Sequence, residues 1–352
     1  MVFFSMLTKK EVAQIKEHLE KAQNPLFFFD NDPDGLCSFL LLQRYIGRGK
    51  GIAIKSFPDM NSDYFKKALE LNADYIFILD KPVVSMDFFD EVKKYNIPVV
   101  WIDHHHIEDL KVPKFVHYYN SAAKNPSKNE PVTYLCYKIT NRKEDLWLAI
   151  AGCISDRYVP KFYKDFVKSY PDLSIKSKEA FEILYNSQIG NLARMLSYSL
   201  KDSITNVVKM TKFLCAAKNP YEVLEESSKN KEMHFKFNQI SKKSEKFIEK
   251  AKSLANEDKF LFFQYSGDLS ISADLANQLT YLFPDKIVVV IYLSGAKANI
   301  SVRGNKIKSL LLNSIKDIEG ATGGGHENAV GARIPLESLE EFKQNMRSNL
   351  KD

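Results

Sequence analysis

The chain has 352 residues, of which 45% are hydrophobic and 27% are charged. This composition excludes disordered, collagen-like and disulfide-scaffold proteins, and it is typical of one large or two medium-sized globular domains. The 50 lysines and arginines exceed the 44 acidic residues by 6, a net charge that permits a polyanionic substrate without requiring one.

The cysteines and the apolar segments indicate in which cellular compartment the protein is expected. The four cysteines form no C-x-x-C pair, so neither a zinc ribbon nor a disulfide framework is indicated, and a reducing environment fits them best. The apolar start, Met1–Ser5, is too short for a secretion signal, and no later segment reaches the roughly 18 uninterrupted apolar residues of a membrane span. We therefore expect a cytoplasmic protein that does not bind membranes.

Residues 24–106 alternate between short apolar runs, typical of buried parallel strands, and amphipathic segments, typical of helices. The helices are expected at about 35–46, 62–72 and 85–95. This alternation predicts a parallel sheet with helices on both faces. The predicted strands are Pro25–Phe29, Gly51–Phe57, Tyr75–Leu79 and Pro98–Ile102.

Helical periodicity dominates from Pro131 to Leu224, including Glu144–Asp156 and the region Ile189–Phe213. Residues 221–257 are rich in Glu, Lys, Ser and Asn, which predicts a long helix connecting two domains or, alternatively, the solvated face of a packed helix. Further strands are expected at Phe260–Tyr265, Ile287–Leu293 and Ala298–Arg303, with a hairpin turn at Ser294–Lys297.

These patterns predict a two-domain α/β protein. We expect an N-terminal parallel-sheet domain over residues 1–220, a connecting helix over 221–257 and a smaller α+β domain over 258–352.

Acidic residues follow three of the predicted strands. The sequence DNDPDG occupies 30–35, Asp80 follows the third strand, and Asp103 with His104–His106 follows the fourth. Open α/β sheets bind ligands at the carboxyl ends of their strands, so we expect these side chains to meet. A single such Asp is commonly a helix cap or a turn residue, but three carboxylates within five residues repel one another unless a cation neutralises them. Oxygen-rich ligands with imidazole and no thiolate favour Mn²⁺ or Mg²⁺ over zinc.

Asp156 is a fourth acidic candidate. It follows the small-residue segment Ala149–Ile154, which would let a helix approach the sheet closely before presenting one carboxylate. The alternative is an ordinary Asp at a helix end.

A cluster of glycines marks the C-terminal domain. Four of the chain's 14 glycines lie within residues 323–331. Backbone amides without side chains can surround a phosphate or carboxylate, most effectively before a helix N-terminus, and the alternative is a flexible loop. His326 after the glycines and Arg303 at the end of a predicted strand add donors suited to phosphate.

Together these motifs resemble the DHH phosphoesterase superfamily, and within it the two-domain members that carry the DHH-associated C-terminal domain. Many members have a His four residues before the first metal-binding Asp, where this chain has Phe28. RecJ-like nucleases instead have an Asp two residues before it, as Asp30 stands here, so this motif resembles the RecJ-like subgroup. The elements occur in the family's order: DNDPDG at 30–35, Asp80, DHH at 103–105, Asp156, SVRG at 301–304 and GGGH at 323–326.

The resemblance implies a phosphoesterase with two Mn²⁺ or Mg²⁺ ions in its active site. Asp32 and, as a further candidate, Asp30 would ligate the first ion, and Asp80 would bridge the two ions. The ligands of the second ion would be Asp34, His104 and Asp156. Asp103 would orient a histidine, and His105 would contact the scissile phosphate and assist the leaving group. The residues that would bind the terminal nucleotide are Arg303, Gly323, Gly324, Gly325 and His326.

The leading hypothesis from this resemblance is a RecJ-like, single-strand-specific exonuclease on DNA or RNA. The chain lacks room for the additional domains of a bacterial-type RecJ, which favours an alternative, a phosphodiesterase or phosphatase of short oligonucleotides (nanoRNA) or small nucleotides. A third hypothesis is a replication-associated scaffold protein of DHH descent. Expected partners are single-stranded nucleic acid or short oligonucleotides, with replication or repair proteins as further candidates.

Overall fold

The computed structural model describes residues 7–55, 60–107, 109–122 and 130–350. The chain divides into two compact units, Met1–Phe237 and Asn238–Asp352. The division falls inside a helix, Lys231–Leu254, and the limits predicted from the sequence, 220 and 258, stay a prediction. Within the described ranges, no helix is both long and apolar enough to cross a membrane.

The N-terminal unit is built around a parallel sheet with the strand order β2-β1-β3-β4-β5 in the described part of the chain. The strands are β1 (Pro25–Asp30), β2 (Lys50–Ile54), β3 (Tyr75–Leu79), β4 (Val99–Asp103) and β5 (Val116–Asn120). The first helices are α1 (Lys9–Lys21), α2 (Pro33–Ile46), α3 (Ser62–Glu70) and α4 (Met86–Lys94). The later helices are α5 (Val132–Thr140), α6 (Leu146–Ser155), α7 (Tyr163–Ser169), α8 (Ala180–Asn186), α9 (Gln188–Ser199), α10 (Ile204–Ala216), α11 (Pro220–Leu224) and α12 (Lys231–Leu254).

Side chains that alternate between the two faces of the sheet divide the core of this unit into two layers. In β1, Phe27 and Phe29 pack into the cluster that contains α2, α5 and α6, whereas Phe28 packs into the cluster on the opposite face with α3 and α4. Successive side chains of a strand point to opposite faces, so a strand that is apolar throughout must be covered on both. The predicted parallel sheet with helices on both faces is confirmed.

Several element limits differ from the sequence prediction. The predicted strand Gly51–Phe57 ends at Ile54, and Phe57 lies outside the described residues. Strand β5 was missed because its sequence, VHYYN, is polar and aromatic rather than a continuous apolar run. The predicted helix at 144–156 begins with a 3₁₀ turn, Lys143–Asp145, before α6.

The segment 221–257 is not one helix. Asn219 caps α11 by accepting hydrogen bonds from the backbone N–H groups of Tyr221 and Glu222. The side chain of Asn230 then donates to the carbonyl oxygens of Glu222 and Glu225, so the chain turns before α12 begins. These side-chain bonds to the backbone compete with continuous helix and separate α11 from α12.

The C-terminal unit contains a mixed sheet with the order β6-β7-β8-β10-β9 in its described residues. Strands β6 and β7 are parallel, and the β7–β8 and β8–β10 pairs are antiparallel, with the predicted hairpin turn between β7 and β8. The strands are β6 (Phe260–Ser266), β7 (Ile287–Ser294), β8 (Lys297–Arg303), β9 (Thr322–His326) and β10 (Ala329–Pro335). The helices are α13 (Ser272–Leu282), α14 (Lys308–Ile315) and α15 (Leu339–Ser348).

The glycine cluster differs from its predicted conformation. Gly323–Gly325 lie in the edge strand β9, which forms a hairpin with β10, and they neither form an irregular loop nor lead into a helix. A Cβ atom at Gly325 would lie 2.6 Å from the carbonyl oxygen of Ala329, and its φ of +133° is one that other residues rarely adopt. Glycine there is required by the close hairpin, which is a structural reason that the sequence pattern did not reveal.

Candidate metal centre

The acidic residues that follow the strands meet at one edge of the parallel sheet. Asp30 is the last residue of β1, Asp103 is the last residue of β4, and Asp80 directly follows β3. Asp80 has a φ of +60°, in the left-handed region, and its backbone N–H donates to the carbonyl oxygen of Ile102 at 3.0 Å. Asp is among the few residue types that tolerate this conformation, which turns the chain sharply at the strand end.

Three donor side chains converge at this edge. One ligand atom from each of Asp34, Asp80 and His104 lies within 4.8 Å of the other two. His104 Nε2 is 3.2 Å from Asp80 Oδ1 and 3.9 Å from Asp34 Oδ2. On the other side of the imidazole, Nδ1 is 3.7 Å from Asp156 Oδ2. We call Asp34, Asp80, His104 and Asp156 the four-donor group.

The electrostatics of the four-donor group suit a divalent cation. Asp80 Oδ1 and Asp156 Oδ2 are buried and accept no hydrogen bond within the described chain. Burial, together with the charges of Asp34 and Asp32, raises the pKa of Asp80 well above its usual range. Burial and the nearby Asp34 also raise the pKa of Asp156 to about 6, against the lowering effect of His104. A buried carboxylate such as that of Asp80 is costly without a counter-charge, and an ion bound by oxygen and imidazole ligands would satisfy it together with the enclosed Oδ2 of Asp156, whose side chain is 30% exposed.

The nearby thiols are unsuited to metal binding. Cys37, Cys136 and Cys153 are buried and free. Burial and then the charge of Asp34 raise the pKa of each thiol, which disfavours the thiolate. Metal ligation needs the thiolate, so the available donors are oxygen and nitrogen atoms, which favours Mn²⁺ or Mg²⁺ over zinc.

Helix α5 fixes the orientation of Asp34. The backbone N–H groups of Val132 and Thr133 donate to Asp34 Oδ2 and Oδ1 at 2.9 and 2.7 Å. The Thr133 hydroxyl donates to the Asp34 carbonyl oxygen at 2.9 Å. The sequence does not predict these roles of Val132 and Thr133, because the residues PVT at 131–133 indicate only the start of a helix.

The second and third residues of the DHH triplet have different surroundings. His105 Nδ1 is 2.8 Å from Asp103 Oδ1, and the His105 backbone N–H donates to Asp103 Oδ2 at 3.1 Å. Asn120, at the end of the unpredicted strand β5, donates from Nδ2 to Asp103 Oδ2 and to the His105 carbonyl oxygen. The histidine that Asp103 contacts is thus His105, whereas His104 belongs to the four-donor group.

Asp30 and Asp32 belong to none of the donor clusters within 4.8 Å in the described structure, and Asp156, also outside them, is included in the four-donor group for its 3.7 Å approach to His104 Nδ1. Asp32 is the N-cap of α2, where its Oδ1 accepts the backbone N–H of Gly35 at 2.9 Å. Asp30 Oδ1 is 3.1 Å from Nζ of Lys81, a residue that sequence reasoning did not select. Ligation of a first ion by Asp30 and Asp32 stays a prediction.

The C-terminal unit holds the remaining predicted residues. Arg303 is only 9% exposed, and its Nε donates to Asn277 Oδ1 at 2.7 Å while Nη1 donates to the Val302 carbonyl oxygen. Gly323, Gly324, Gly325 and His326 lie along the edge strand β9. Their role in substrate binding stays a prediction.

Sequence comparison finds a family match within each of the two units. Residues 26–155 match the DHH family, N-terminal domain, and residues 258–352 match the DHHA1 domain. The chain belongs to the DHH family. A search of curated proteins gave no match.

Solved structures with the DHH-family fold resemble the whole chain at low sequence identity. RecJ from Thermus thermophilus in complex with Mn²⁺ has a TM-score of 0.70 at 16% identity, covering 99% of this chain and 55% of the RecJ chain. An exonuclease RecJ bound to manganese has a TM-score of 0.59 at 16% identity, covering 98% and 96%. CDC45 from Entamoeba histolytica has a TM-score of 0.53 at 9% identity, covering 97% and 98%. The present chain thus spans about half of the Thermus RecJ, and the likeness establishes the DHH–DHHA1 fold.

Proposed function

We propose that this DHH-family chain is an Mn²⁺- or Mg²⁺-dependent phosphodiesterase that removes nucleotides from the ends of single-stranded DNA or RNA. The observation that carries the proposal is the four-donor group, whose buried carboxylate oxygens on Asp80 and Asp156 accept no hydrogen bond in the described chain. The manganese-bound RecJ structures support the choice of metal and of reaction class.

In the proposed reaction, each protein group has a defined task. Asp34, Asp80, His104 and Asp156 would hold the metal, which would supply Lewis-acid polarisation of the phosphodiester and a more acidic water as the nucleophile. The Asp103 carboxylate accepts a hydrogen bond from the N–H at His105 Nδ1, so Nε2 is directed away from Asp103, where it is proposed to contact the phosphate and the leaving oxygen. Asn120 holds Asp103 and the His105 backbone in this arrangement.

The C-terminal unit supplies the proposed contacts to nucleic acid. Arg303 and the backbone of Gly323–Gly325 are proposed to bind the phosphate or base of the terminal nucleotide, with His326 as an additional donor. The small net charge of +6 provides little non-specific attraction to long polyanions. We therefore expect moderate sensitivity of hydrolysis to salt and a substrate held mainly at its end.

Hydrolysis of substrates of different lengths tests the proposal. End-labelled single strands of DNA and RNA, from dinucleotides to thirty-mers, are incubated with Mn²⁺ and resolved to single-nucleotide products. Stepwise shortening of the long strands supports an exonuclease. Hydrolysis confined to the shortest substrates instead identifies the oligonucleotide phosphodiesterase.

The likeness to CDC45 supports a second candidate, a replication-associated binding protein. The two roles are distinguished by the same assay, because a chain that binds single strands and hydrolyses none of them contradicts the enzymatic proposal. The intact four-donor group favours the enzyme.

A further inference from the structure

Lys81 is a buried cation at the edge of the candidate metal centre. The residue is 2% exposed, and its Nζ is 3.1 Å from Asp30 Oδ1. Lysine is almost never fully buried without a partner, and Asp30, whose side chain is 20% exposed, is the carboxylate it contacts. The family resemblance assigns no role to a lysine at this position.

The surrounding structure fixes Lys81 in place. It follows Asp80 directly, after the left-handed turn at φ +60° that ends β3. Its carbonyl oxygen accepts a hydrogen bond from Nε1 of the fully buried Trp101 at 2.9 Å. With its backbone anchored by Trp101 and its ammonium group paired with Asp30, the side chain is held at the metal centre and not in solvent.

This ion pair changes the charge balance of the predicted first-ion site. Asp30 is a candidate ligand of that ion, but its carboxylate is already neutralised by Lys81. A divalent cation bound to Asp30 would lie close to the ammonium group of Lys81, and like charges at such a distance repel each other. The other candidate ligand, Asp32, uses Oδ1 to cap α2 and has Oδ2 left for an ion, so the pairing of Asp30 with Lys81 is what alters this site.

The four-donor group has the opposite balance. In the described chain, no lysine or arginine lies within ion-pair distance of Asp34, Asp80 or Asp156, and Asp34 instead accepts backbone N–H groups. Apart from His104 and the charge of Arg157 that acts on Asp156, the described structure gives these carboxylates no positive partner, so a bound ion would supply the charge they require. Asp30 is therefore paired with a lysine of the protein, whereas the carboxylates of the four-donor group are paired with no lysine or arginine in the described chain.

We propose that Lys81 takes the place of one of the two ions implied by the family resemblance, so that this chain binds a single tight divalent ion at the four-donor group. The ammonium group, paired with Asp30, supplies the second positive charge of the centre. The inference rests on the proposed function for the location of the metal, and it replaces the expected two ions with one ion and one lysine.

Counting metal ions tests this directly. The 352-residue chain, stripped with chelator, is titrated with Mn²⁺ alone, and bound ions are counted by equilibrium dialysis with elemental analysis and by electron paramagnetic resonance. We expect one tight ion per chain and a spectrum of isolated Mn²⁺. Lys81→Met should bind a second ion at least about 100-fold more tightly than wild type does, with a spectrum of exchange-coupled ions.

Two further variants separate this effect from general damage. Asp30→Asn in the Lys81→Met background should return the count to one, because the freed carboxylate is removed. Lys66→Met, which breaks an exposed Lys–Asp pair on α3, should leave the count at one. Lys81→Gln replaces Lys81→Met if that variant does not fold.

Wild-type chain that binds two tight, exchange-coupled ions overturns the inference, as does a Lys81 variant that still binds one. Metal counting is independent of hydrolysis, so the two proposals fail separately. A chain with one ion and no hydrolysis contradicts the proposed function alone, and a hydrolase with two ions contradicts only the role of Lys81.

Discussion

The carboxylate of Asp34 accepts the backbone N–H of Thr133 at 2.7 Å, across 99 residues of sequence. This bond joins the start of α2 to the N-terminus of α5, where the helix dipole favours a negative charge. The position of a proposed metal ligand is therefore set by the protein before any ion binds. Small residues on α6 allow this arrangement, because α6 packs closely against α2 and α5.

At Gly152, helix α6 comes very close to both α5 and α2. A Cβ atom there would lie 2.3 Å from Thr133 Oγ1 and 2.9 Å from Cys37 Cβ. Gly152→Ala should therefore lower the free energy of unfolding by about 1–3 kcal/mol, measured by denaturant titration, and should weaken Mn²⁺ binding by displacing α5. Gly324→Ala is the matched control, since its Cβ would meet no atom within 4 Å. Equal stability of the two variants would contradict the packing described here.

Much of the fold and of the donor set could be predicted from the sequence. The apolar runs of β1, β3 and β4 are buried on both faces, so their pattern indicates parallel strands without further information. The acidic residues that follow them meet because neighbouring parallel strands end at the same edge. This reasoning predicts Asp34, Asp80 and His104 as neighbours, and the structure brings them together.

The missed residues make contacts that no local pattern encodes. Asn120 ends an edge strand that lacks an apolar run, and the α5 residues contribute backbone N–H groups, which any residue type except proline could supply. Lys81 follows Asp80 and resembles an ordinary exposed turn residue in sequence. Only the left-handed backbone at Asp80 and the bond from Trp101 place it beside Asp30.

Asp80→Asn should stabilise the metal-free protein while abolishing hydrolysis. Burial raises the folded-state pKa of Asp80 and of Asp156 above the usual value, so the folded apoprotein binds more protons than the unfolded chain and loses stability as pH rises. For Asp156 this loss falls between the usual value, about 4, and about 6. At pH 7.5 in chelator, thermal unfolding should show a gain of about 1–3 kcal/mol for Asp80→Asn.

Exposed Asp90 provides the control for this effect, because Asp90→Asn removes a charge that is not among those acting on Asp80 or Asp156. Added Mn²⁺ should raise the melting temperature of wild type and of Asp90→Asn but not of Asp80→Asn. A metal-free Asp80→Asn protein that is less stable than wild type at pH 7.5 would show that the carboxylate cluster carries no electrostatic cost.

Asp103→Asn should reduce turnover without removing the metal. The neutral amide of Asn accepts a weaker hydrogen bond from His105 Nδ1–H than a carboxylate does. The imidazole therefore loses its fixed orientation and its preference for a proton on Nδ1. We expect kcat to fall by about 10- to 100-fold with Mn²⁺ content near that of wild type. Asn120→Ala, which removes one donor to Asp103, should have a smaller effect in the same direction. Loss of bound Mn²⁺ from Asp103→Asn would instead make Asp103 a metal ligand.

Arg303→Ala should weaken substrate binding and leave the metal in place. The guanidinium group also donates to Asn277 and to the β8 backbone, so the variant loses stability in the C-terminal unit. Steady-state kinetics should show a rise in KM of about 10-fold or more, with unchanged Mn²⁺ per chain. Arg303→Lys, which retains the charge but not the planar donor geometry, should recover only part of the affinity. An unchanged KM would remove Arg303 from the proposed nucleotide site.

The central claim is tested most directly by Mn²⁺-dependent hydrolysis of an end-labelled single strand, measured for wild type, Asp80→Ala and Asp90→Ala in parallel. We predict hydrolysis by wild type and Asp90→Ala that stops in chelator and returns with added Mn²⁺. Asp80→Ala should remain folded, as judged by circular dichroism, and should lose at least about 1,000-fold in rate. A folded Asp80→Ala protein that hydrolyses the strand at the wild-type rate would contradict the metal centre proposed here.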